Sequence, residues 1–81
     1  MMGLMSDAPI TTVPITGDVI RLGQFLKLAG LAESGAHARE LIADETVTVN
    51  GEAEARRGRQ LHRGDLVELD TANGLLRAAV G

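Results

Sequence analysis

The chain has 81 residues, enough for one domain with a modest core. It has no cysteine, two histidines and one aromatic residue, Phe25, which excludes disulfides, a thiolate nucleophile and a cysteine-based zinc site. A net charge of −3 excludes a protein that coats nucleic acid indiscriminately, although Arg56, Arg57, Arg59, Arg63 and His62 fall between Ala55 and Gly64 with no acid among them.

Residues 1–19 read as a loose N-terminal tail with a possible edge strand. Ile10 to Ile15 is rich in β-branched residues, and Pro14 restricts it to a sheet edge. Met1 to Asp18 has neither a basic start nor a continuous apolar run, so no signal peptide and no membrane span are expected. The expectation is a soluble, cytoplasmic monomer.

Leu22, Phe25, Leu26 and Ala29 recur at helical spacing, and Gly30 supplies a stop. Ser34 is a good N-cap for a second helix, with Ala38, Leu41 and Ile42 on its apolar face. Both helices are short and must pack on each other and on a sheet. From Thr46 the hydrophobic period changes to two: Val47 and Val49 share one face, and Asn50-Gly51 is a strong two-residue hairpin signal. Glu52 to Ala55 returns the chain, Gly64-Asp65 turns it into Leu66 to Leu69, and Asn73-Gly74 opens a last hairpin through Val80. The fold class expected is α+β: two short helices followed by a β-hairpin and further strands in a small, mostly antiparallel sheet. The core should hold Phe25, Leu26, Leu41, Ile42, Val47, Val49, Leu61 and Val67.

Little here resembles catalysis. The glycines spell neither a P-loop nor a dinucleotide fingerprint, and no base has an evident relation to Ser34. No catalytic residue, metal or cofactor is expected. Gln24 and Lys27 lie opposite the apolar stripe of the first helix, and Arg39 flanks that of the second. Each serves either as a solubilising residue or as part of one surface with Arg56, Arg57 and Arg59. Guanidinium groups suit phosphate bidentately and lysine suits it as a point charge. The arginine run has its own simpler account, a solvated loop in which Arg57 or Arg59 pairs with Glu52 or Glu54. Gly58 between arginines favours a shaped loop.

The ordered set Leu22-x-Gln24-Phe25-Leu26-Lys27, Ser34-Gly35-x-x-Ala38-Arg39-x-x-Ile42, Val47-x-Val49-Asn50-Gly51-Glu52 and Arg56-Arg57-Gly58-Arg59-x-Leu61-x-x-Gly64-Asp65-x-Val67 resembles the S-four-like RNA-binding domain. The likeness is to its short, free-standing bacterial-type members. It covers residues 20–69, leaving 70–81 as a C-terminal strand or tail. What it implies is the αL motif, two helices and a hairpin that bind structured RNA, ribosomal or transfer RNA, on the ribosome and in translation-related work. Carried over by position, the RNA-facing candidates are Gln24, Lys27, Ser34, Gly35, Arg39, Asn50, Arg56, Arg57 and Arg59. The family usually has a glycine where this chain has Glu45, which in a left-handed conformation would cost about 1 kcal/mol. The rival reading is a protein-interaction module whose arginine patch meets an acidic protein surface. A small enzyme or regulatory ligand binder is the third.

Overall fold

The computed structural model describes residues 9–81, so most of the expected N-terminal tail, residues 1–8, lies outside the described residues. In chain order the elements are β1 (Ile10–Val13), β2 (Val19–Arg21), α1 (Leu22–Leu28), α2 (Gly35–Ala43), β3 (Val47–Val49), β4 (Glu52–Ala53), β5 (Gln60–His62), β6 (Leu66–Thr71) and β7 (Gly74–Val80). Five strands form one sheet in the order β1-β7-β6-β3-β4, while β2 and β5 pair separately.

The α+β class with two helices and a mostly antiparallel sheet is observed, with two corrections. Strands β1 and β2 precede the helices, and β1 runs parallel to β7, so the main sheet is mixed. The β-branched run at Ile10 to Ile15 marks a strand there, and β1 lies at the sheet edge; β2 and the parallel pairing are not visible locally. β2 is only three residues long and abuts α1 without a break, too short to display a period. The β1–β7 pairing joins the two ends of the described chain.

The helices lay one face over the sheet. Leu22, Phe25 and Leu26 from α1 and Ala38 and Ile42 from α2 are buried against Val47, Val49, Val67, Leu69, Ala78 and Val80, with Leu61 closing one side. Seven of the eight expected core residues lie in this cluster, and the eighth, Leu41, is partly buried and packs against it.

The two helices end alike. After α1, the N–H of Gly30 donates to the Lys27 carbonyl and that of Leu31 to Leu26; after α2, Glu45 donates to Ile42 and Thr46 to Leu41. This is the same left-handed C-terminal cap twice, at φ 77° for Gly30 and φ 61° for Glu45. At the other end of α2, the Ser34 hydroxyl accepts the N–H of His37 at 3.1 Å, the N-cap its sequence announced.

The turns show where punctuation is read well and where it slips. Asn50 and Gly51 both take positive φ, 52° and 86°, and Val49 pairs with Glu52 around them, a two-residue turn matched to sheet twist. The last hairpin instead turns on Ala72 and Asn73, one residue earlier than expected, because Thr71 pairs with Gly74. The Thr71 hydroxyl stabilises that register by accepting the Asn73 N–H at 3.1 Å and donating to the Gly74 carbonyl at 2.7 Å.

Candidate nucleic-acid interface

Three neighbouring elements bring the cations together. Gln24 and Lys27 are one turn apart on α1, and Gly35 and Arg39 are one turn apart on α2, so each helix presents a face. The third wall is the loop between β4 and β5. Its position is set by the first turn of α1, whose leading N–H groups have no partners within the helix. Leu22 donates to the Arg59 carbonyl at 2.8 Å and Gly23 to the Arg57 carbonyl at 2.9 Å. These bonds continue the β2–β5 ladder, in which Arg21 pairs with Gln60. A residue folded for its strand register thus carries the arginine loop onto the helix.

The result is a groove of about 440 Å³ lined by Arg21, Gly23, Gln24, Lys27, Gly35, Arg39, Arg57 and Gly58. Four of its eight lining residues are cations and none is an acid, which makes it a focused positive field on an acidic chain. Its cations are exposed. A second hollow of about 720 Å³ shares Gln24 and Lys27, but its other lining residues, Pro14, Ile15, Thr16, Gly17, Val19, Ile20 and Leu28, are mostly apolar and add no charge.

Of the candidate residues, Gln24, Lys27, Gly35, Arg39 and Arg57 line the groove. Ser34 adjoins it with its hydroxyl engaged in the α2 cap. Asn50 sits elsewhere: its amide donates to Asp65 at 3.1 Å and accepts the Leu66 N–H at 2.9 Å, locking the hairpin tip to the start of β6. Burial pushes the Asp65 carboxyl up, but the bonds from His62 and Asn50 outweigh it and hold it below its ordinary range.

Arg56 and Arg59 converge on Glu54, which is only 6% exposed. The carboxylate accepts the Arg56 backbone N–H at 3.0 Å, Arg56 Nε at 3.1 Å, Arg56 Nη2 at 3.3 Å and Arg59 Nη1 at 2.9 Å. Hydrogen bonds from Arg56, then Arg59, overcome the penalty of burial and hold the Glu54 pKa down at about 2. The sequence had allowed a pairing of Arg57 or Arg59 with Glu52 or Glu54; the partners are Arg56 and Arg59, and Arg57 has no ion pair among the described residues. Arg63 turns away to Asp18 and the Ile15 carbonyl.

Sequence reasoning missed Arg21. The signal was present: Arg21, Gln24 and Lys27 recur every three residues, a basic face that begins before the helix does. Among the described residues no group of three or more histidine, cysteine or acidic side chains is placed to hold a metal, and no helix is long and apolar enough to cross a membrane.

The profile of a family described as the S4 domain matches residues 13–75. The chain is also similar to the probable ribosome maturation protein RlbA of Bacillus subtilis (strain 168), 45% identical over 58 residues, which cover 72% of this chain and 82% of that protein.

Proposed function

The chain belongs to the S4 domain family, and on that premise we propose that it is a non-catalytic module that docks on structured RNA, ribosomal or transfer RNA, in ribosome-related work. The observation that carries this reading is the groove in which Arg21, Lys27, Arg39 and Arg57 meet from three parts of the fold with no acid among the lining residues. The relative's name assigns that protein to ribosome maturation, which supports a ribosomal target for this one. Phosphate and 2′-hydroxyl contacts are the means of recognition. Phe25 is the sole Phe, Tyr or Trp and is fully buried, so no exposed ring of that kind offers unpaired bases a stacking platform. The groove also lacks the acid–base pair that chemistry on RNA would use. The module acts as a monomer in the cytoplasm.

Crosslinking the protein to RNA in cells and sequencing the attached fragments tests this. Enrichment of one ribosomal or transfer RNA region is expected. A signal no higher than that of the Lys27→Ala/Arg57→Ala double variant would overturn the reading in favour of an acidic protein surface as partner.

A further inference from the structure

We infer that Glu54 is the positioning and selectivity residue of the arginine loop: it engages Arg56 and Arg59 so that Arg57 is the one arginine of the run whose whole guanidinium is open to phosphate. This rests on the RNA-binding reading above. The bidentate edge of a guanidinium is what grips a phosphate. On Arg56 one of the two such edges, Nε and Nη2, is already given to the two carboxylate oxygens of Glu54 at 3.1 and 3.3 Å, which leaves only the outer, end-on edge for another anion. The Arg56 side chain is 77% exposed and yet committed. Arg59 gives Nη1 to the same carboxylate at 2.9 Å, and its side chain is only 28% exposed.

Two further bonds fix the loop around this centre. The Arg56 N–H closes back on Glu54 at 3.0 Å, and the Arg59 N–H donates to the Arg56 carbonyl at 3.2 Å. The intervening Arg57 is held with its carbonyl on Gly23 and its side chain at the groove. The cluster of Glu54, Arg56 and Arg59 therefore carries one net positive charge instead of two, and it is rigid. A rigid, partly neutralised loop accepts phosphates already spaced by a folded RNA. Three free arginines would take any polyanion.

The test compares wild type, Glu54→Gln, Arg56→Ala and Arg57→Ala on three probes: a folded transfer RNA, oligouridylate of equal length, and heparin. Glu54→Gln should bind oligouridylate and heparin more tightly, with a log-log salt slope steeper by about 0.7–0.9, and should lose preference for the folded RNA. Arg57→Ala should make the slope on folded RNA shallower by about 0.7–0.9 and Arg56→Ala by much less. If Glu54→Gln is unfolded by circular dichroism, the comparison of Arg56→Ala with Arg57→Ala decides. Equal slope changes in those two variants, or a folded Glu54→Gln with wild-type slopes on oligouridylate and heparin, would overturn the inference. Should wild type ignore both RNAs, the RNA reading falls separately, and heparin still decides whether Glu54 masks the arginines.

Discussion

The backbone N–H of Gly23 donates to the carbonyl oxygen of Arg57 at 2.9 Å, and this bond joins the helical wall of the cationic groove to its loop wall. Both residues line the groove, so the contact that satisfies an otherwise unpartnered donor of α1 also fixes the site's width. No pattern in the sequence encodes it, because the two residues lie far apart in the chain and the bond uses only backbone.

Gly23 does not owe its identity to that close approach. A Cβ built there would meet the Arg57 carbonyl oxygen at 3.5 Å and the Arg57 Cβ at 3.6 Å, ordinary van der Waals distances. Gly23→Ala should therefore stabilise the protein by roughly 0.5–1 kcal/mol through helix propensity and keep its RNA affinity. Thermal melting and a binding titration check this. A fall in melting temperature would mean that the loop cannot accept even a methyl group.

Glu45 is the strained counterpart of Gly30. It holds φ 61° without a glycine's freedom, and it places a negative charge at the C-terminal end of α2, beside Asp44. Glu45→Gly should stabilise the fold by about 1–2 kcal/mol, a rise of roughly 4–8 °C in melting temperature for each kcal/mol. Glu45→Ala removes the charge and keeps the backbone strain, so it should gain only the smaller, electrostatic part. Equal gains in the two variants would show that the conformation itself costs nothing.

These positions also show what the sequence could carry. The period change near residue 45, the Ser34 cap and the Asn50-Gly51 turn are local signals, and each corresponds to a local element. The position of Glu45 was legible as a glycine-type cap from the family likeness, and its positive φ agrees. Strand β2, the parallel β1–β7 pair and the commitment of Arg56 to Glu54 were not legible. They depend on which distant segments meet, and spacing along the chain is silent about that. Candidate cations could be named, but not which of them would already have partners.

Glu54 sets an acid limit on stability. Its pKa is depressed from an ordinary 4.5 to about 2 in the folded protein, so the folded state prefers the ionised form. The contribution is complete above about pH 5 and is lost as pH falls through the interval between those two values. At neutral pH Glu54→Gln should cost about 1–3 kcal/mol, because the charge-assisted bonds to Arg56 and Arg59 weaken. Urea unfolding followed from pH 7 to pH 2 should show wild type converging on the variant at the acid end. A constant gap over that range would mean that Glu54 is not depressed.

The salt dependence of RNA binding draws the groove's geometry together. Arg21, Lys27, Arg39 and Arg57 line it, whereas Arg56 and Arg59 are held by Glu54. Four neutralised phosphates give a log-log slope of affinity against salt of about −3 to −4. Arg57→Ala and Lys27→Ala should each weaken binding about tenfold, roughly 1.4 kcal/mol, and make the slope shallower by nearly one. Their melting temperatures should hardly move, because both side chains are exposed and outside the core. A folded RNA should be preferred to a single strand of equal length, since the one Phe, Tyr or Trp ring is buried in the core and no base can stack on it. A slope near zero, or preference for the unstructured strand, would remove the groove as an RNA site and leave an acidic protein surface as the partner its charge fits.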